Sequence, residues 1–95
     1  MKKKEQFNLA LWDRLQKDNI PHSFETRDGN KVEQLTLFNT NDNQPLIGVV
    51  NNEIESWCNN GNYSFHISNM NYDLFIVFDF ISYTKGEGLN NPKSN

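Results

Sequence analysis

Between Tyr72 and Tyr83 nearly every position is apolar, and this run limits the possible folds more than any other part of the chain. If the run is extended, Leu74, Ile76, Phe78 and Phe80 point one way, while Phe75, Val77, Ile81 and Tyr83 point the other. A strand that is apolar on both faces belongs inside a sheet, with neighbours at both edges and a layer against each face. It is the central strand of this reading.

One covering layer is evident near the start of the chain. From Lys4 to Asp18, Phe7, Leu11 and Leu15 recur at helical spacing with Ala10 on the same side, and Leu9 and Trp12 widen the arc. The spacing predicts an amphipathic helix lying broadly across a sheet. Lys2, Lys3 and Lys4 oppose the helix dipole and read as an unstructured, solubilising lead. Asn19 suits a left-handed C-terminal position, and Pro21 prevents continuation. A single helix covers one face, so the second apolar face calls for a sheet that curls on itself or for a partner surface.

From His22 onward the period shortens to two. Strands are expected near Ser23–Arg27, Val32–Asn39, Leu46–Val50, Glu53–Trp57, Tyr63–Ser68 and Tyr72–Tyr83, with Glu53–Trp57 also compatible with one helical turn. The dividers are Asp28-Gly29-Asn30, the Asn39–Asn43 run, Asn51-Asn52 and Asn59-Asn60-Gly61-Asn62, all rich in residues that tolerate positive φ. The expected fold is α+β: one N-terminal amphipathic helix packed on an antiparallel sheet of about five strands. It forms a single domain over residues 1–85, followed by a mobile C-terminal tail over residues 86–95.

Several function classes are disfavoured by composition. Cys58 is the only cysteine, so no intrachain disulfide forms and a thiol-based zinc site is implausible; His22 and His66 lack ligand spacing. No metal or cofactor is expected. The basic start resembles the head of a signal peptide, but Glu5, Gln6, Asn8, Asp13 and Arg14 interrupt any apolar stretch behind it. No run approaches the roughly 20 apolar residues of a membrane span. The expected location is therefore cytoplasmic, with no membrane partner.

The charges are unevenly distributed along the chain. Residues 1–31 hold seven basic and five acidic side chains, for +2, while residues 32–95 hold two basic and seven acidic, for −5; together they give the net −3. Neither lysine nor arginine occurs between Val32 and Thr84. Nucleic acid is an unfavourable partner, because stacking aromatics need cations beside them to meet phosphates. The three N-terminal lysines are too few to change that.

Asp79, between Phe78 and Phe80, is the residue that fits its surroundings least. It could lie where the strand leaves the core, could pair with Arg27, Lys31 or Lys85, or could join Glu25, Glu53 and Glu55 in an acid cluster able to hold Mg²⁺. The stretch Asn19–Glu25 behind a helix has a faint similarity to the opening of restriction-endonuclease-like nucleases. That similarity ends there, since no Glu is followed two positions later by Lys, and no family follows from it. Ser23 beside His22, and Ser64 or Ser68 near His66, are neighbours in sequence only, and Cys58 reads as a small apolar residue. No glycine-rich phosphate loop is present.

These observations lead to a small, non-catalytic, cytoplasmic protein-binding module, of the kind that phages and mobile elements encode as inhibitors or accessory subunits. It is expected to use an acidic sheet-side surface built from Glu53, Glu55, Asp73 and Asp79. Its partner is another protein with a basic surface, and the apolar excess of the sheet makes a homodimer the expected state. The alternative is a small metal-dependent, nuclease-like hydrolase with its acids around Asp79.

Overall fold

A computed structural model of the chain describes residues 1–85. In order, the elements are β1 (Lys2–Gln6), α1 (Leu9–Lys17), β2 (His22–Thr26), β3 (Lys31–Leu37), β4 (Leu46–Val50), β5 (Glu53–Trp57), β6 (Leu74–Asp79) and α2 (Phe80–Lys85). The fold is α+β with an antiparallel sheet of six strands in the order β1-β6-β2-β3-β4-β5, and two helices. The expected mobile tail lies outside the described residues.

As its two-sided apolar pattern requires, β6 is interior, with β1 along one edge and β2 along the other. Leu74, Ile76 and Phe78 are fully buried in a core shared with Phe7, Leu15, Ile20, Val32, Leu46, Val50 and Trp57. Trp12 of α1 meets Phe7 and Phe24 edge-on at 5.5 and 5.4 Å, which seats the helix over β2 and the start of the chain. The opposite face of β6 presents Phe75 and Val77, both half-buried. Over Phe75 lie the Arg27 guanidinium at 4.8 Å and the Lys4 ammonium at 5.6 Å, so cationic side chains form part of that second cover.

The chain also bends within the sheet and returns over it. Gln34, at φ 57°, lies where the β3–β4 register shifts, the mark of a β-bulge that bends the strand. Beyond β5 the chain returns to β6: the Leu74 amide donates to the Gly61 carbonyl at 2.7 Å, and the Phe7 amide to the Leu74 carbonyl at 2.9 Å. Gly61 has φ 92°, and a Cβ there would lie 2.9 Å from the Leu74 carbonyl oxygen and 3.0 Å from Phe7 Cβ. A side chain has neither the space nor the backbone conformation at that position.

Three expectations about the elements are corrected. Lys2–Lys4 are not a loose lead but most of β1, paired with Asp79, Phe78 and Val77, and the helix begins at Leu9. Asn8 caps it, its Oδ1 accepting the Leu11 amide at 2.7 Å, which fits the preference of asparagine for that position and keeps the lysines off the positive helix end. Tyr63–Ser68 is not a strand: it is irregular, with Phe65 and Ile67 exposed. The last strand ends at Asp79, where α2 begins. Asp79 Oδ1 accepts the Ile81 amide at 3.1 Å and Oδ2 the Ser82 hydroxyl at 3.2 Å, a capping arrangement that favours a turn of helix over further extension.

Left-handed residues fall in three of the four turn signals, at Gly29, Asn51-Asn52 and Gly61, and none falls in Asn39–Asn43. Asn51 and Asn52, at φ 52° and 68°, form the two-residue link between β4 and β5 that needs positive φ at both positions. Gly29 and Asn19 are likewise left-handed at the ends of β2 and α1.

Candidate functional site

A groove of about 720 Å³ lies between β5 and the irregular segment Tyr63–Met70. Its walls include Ile47, Ile54 and Ser56 of the β4–β5 pair, and Phe65 and Met70 of the segment. Tyr63 bridges the two sides. Its hydroxyl donates to Glu55 Oε1 at 2.6 Å, and its amide donates to Asp73 Oδ1 at 2.9 Å. The hydrogen bond to Glu55 favours the protonated phenol, and burial and the carboxylate charge add to it, so ionisation of Tyr63 is pushed up to about 12. At neutral pH Tyr63 is therefore a fixed neutral donor and a poor general base.

Asp73 is fully buried and holds the segment in place. Oδ2 accepts the Met70 amide at 3.1 Å and the Arg27 guanidinium at 3.2 Å, while Oδ1 takes Tyr63. Arg27 also donates to the Met70 carbonyl at 3.2 Å, and its amide donates to the Asp73 carbonyl at 2.8 Å. The buried charge is thus paired and hydrogen-bonded from two sides, which is what makes such a position tolerable. At the far end of the groove Gln44 donates to the Tyr63 carbonyl and accepts the Ser56 hydroxyl at 3.0 Å. With Trp57 Nε1 donating to the Tyr72 carbonyl at 2.6 Å, these bonds make an irregular loop into a defined wall.

The four sequence-predicted residues therefore separate. Glu53 and Glu55 share one side of β5, Glu53 exposed and Glu55 half-buried, and Asp73 joins them through Tyr63. Asp79 lies apart, at the other end of β6 from Asp73, about 20 Å along extended chain. Burial acts to raise the pKa of its carboxyl, but hydrogen bonds from Ser82 and Ile81 and the nearby N-terminal ammonium outweigh it and hold it below the ordinary aspartate value. Glu25 pairs with Lys4 at 3.1 Å. Among the described residues no group of three or more His, Cys, Asp or Glu side chains is placed to hold a metal ion, so the acids of the hydrolase alternative do not converge.

Sequence reasoning missed Tyr63, Arg27 and Gln44 as site residues. Tyr63 carried one usable signal, a tyrosine directly after the turn-forming Asn59–Asn62 run. Nothing in the sequence pointed to Arg27 reaching Met70 and Asp73, which are more than 40 residues away.

Apolar side chains reach solvent beside these acids. Ile54 is 78% exposed and Phe65 60%, and both line the groove; Ile67, in the same segment, is also exposed. No lysine or arginine occurs in the sequence between Val32 and Thr84, and the cation that reaches the groove wall, Arg27 at Met70, is paired with Asp73. Neither a protein-family model, a curated protein nor a solved structure matches the chain.

Proposed function

We propose that this chain is a non-catalytic protein-binding module, an inhibitor or accessory subunit of the type mobile elements and phages encode, acting in the cytoplasm on a partner with a basic surface. The observation that carries the reading is the grouping of exposed Ile54 and Phe65 with Asp42 and Glu55 around a groove whose wall is fixed by Asp73 and Tyr63, with exposed Glu53 two residues from Glu55 on the same side of β5. Exposed apolar residues ringed by charge of one sign favour a macromolecular contact: the apolar groups gain from burial and the carboxylates steer the approach. Tyr63 is held neutral and the Asp73 carboxylate is taken up by Tyr63, Met70 and Arg27, so these two groups serve to hold the wall.

A photo-activatable side chain at position 54, compared with one at exposed position 17 on α1, tests the reading in cells that produce the chain. A specific adduct is expected at 54 and not at 17, with the captured protein binding the purified chain and losing affinity on Ile54→Lys or Phe65→Lys. Equal labelling from both positions, or binding indifferent to both substitutions, would refute it.

A further inference from the structure

The free edge of β5 identifies the kind of segment that fits the groove. Among the described residues β5 pairs with β4 alone, so its other edge offers unpaired backbone groups beside the groove. The register with β4 places Glu53 and Glu55 opposite Val50 and Gly48 on one face, and Ile54 opposite Val49 on the other. A strand added there would meet the exposed Glu53 carboxylate and, two positions on, the half-buried Glu55 carboxylate, whose Oε1 already accepts the Tyr63 hydroxyl, with an exposed isoleucine between them.

Charge also excludes candidates. Two copies of β5 would set glutamate against glutamate, and two copies of β1 lysine against lysine, so neither edge pairs readily with itself. Within one molecule β1 has the complementary sign, but Lys3 pairs with Glu5 at 3.2 Å and lies 4.8 Å over the Phe80 ring, and Lys4 is held by Glu25. Two of its three lysines are engaged inside the fold.

We infer that the occupant is an extended segment of another protein that adds to the open edge of β5, with lysine or arginine at alternate positions facing Glu53 and Glu55 and an apolar residue between them against Ile54. Main-chain hydrogen bonds supply the docking and the alternation supplies the selectivity. The inference rests on the protein-binding reading above and specifies its contact.

The probe is a blocked heptapeptide alternating lysine with valine, titrated into the full chain while backbone amides are followed by NMR. Shifts are expected at residues 53–57 and 63–65, falling away as salt rises, since the Debye length contracts from about 10 Å at 0.1 M to about 3 Å at 1 M. A fully N-methylated peptide with the same side chains should lose the effect, as should the Glu53→Lys/Glu55→Lys double variant, whose fold is checked by its retained spectrum. Equal binding by the N-methylated peptide would show charge attraction without strand addition and overturn the inference, as would shifts confined to the Phe75 face. Salt-sensitive self-association abolished by Lys2→Glu would assign the edge to a second copy instead. If the position-54 adduct forms while the peptide leaves the β5 amides unmoved, strand addition fails and the binding surface stands.

Discussion

Replacing Asp73 by asparagine separates a structural role from a contact role. Asp73 was expected to belong to a binding surface, yet its side chain is fully buried and accepts two backbone amides, from Tyr63 and Met70, and the Arg27 guanidinium. Asparagine keeps the shape but turns one acceptor into a donor facing an amide or guanidinium donor, and removes the charge opposite Arg27. Losing one charged hydrogen bond costs about 1.5–3 kcal/mol, and breaking a buried pair about 3–5 kcal/mol. Arg27 is one-third exposed and regains some hydration, which places the expected loss near 3 kcal/mol. At about 4–8 °C per kcal/mol for a domain of this size, the melting midpoint should fall by roughly 12–24 °C. Urea unfolding of wild type and Asp73→Asn, with the slope checked for two-state behaviour, measures the loss directly. A change under about 0.5 kcal/mol, within the range of ordinary surface substitutions, would refute the claim that this carboxylate holds the Tyr63–Met70 wall.

Two further predictions concern the core and Tyr63. Leu15→Ala should cost about 2–5 kcal/mol and Leu11→Ala distinctly less, because Leu15 is fully buried and Leu11 only half; equal midpoints in denaturant would count against the seating of α1. The Tyr63 phenol should titrate near 12 by tyrosinate absorbance and move toward 10 in Glu55→Gln. Its pKa is raised on folding, so its contribution to stability is complete below pH 10 and is lost as pH rises through 12. A Tyr63 titration unaffected by Glu55→Gln would contradict the bond.

Most of the fold was legible where a turn signal bounded a period-two run. β4 and β5 fall at their expected limits because Asn51-Asn52 fixes the turn between them and therefore the register. β1 was hidden because a run of lysines looks solvated. Its partners show how it is accommodated: the Lys3 ammonium lies over the Phe80 ring and the Lys4 ammonium over the Phe75 ring, so the charges meet aromatic faces as well as water. Phe7 sits at helical spacing from Leu11 yet precedes the helix, and Asn8 ahead of the apolar run was the better marker of its start. Tyr63, Phe65 and Ile67 alternate as a strand would, but the segment's hydrogen bonds run to the side chains of Asp73, Gln44 and Glu55 and not to the backbone of a neighbouring strand. The acids of the site could be read from charge alone. Their separation into a group around Tyr63 and a helix cap at Asp79 depended on how β6 runs, which no local pattern encodes.

If the acidic edge of β5 steers and receives a basic protein segment, that will show in the association rate of the purified chain with the protein captured through position 54, measured across a salt series for wild type and for Glu53→Gln/Glu55→Gln. The rate should fall steeply with salt for wild type, and the double variant should be slower at low salt and much flatter across the series. A rate indifferent to salt and unchanged by the substitutions would contradict the account.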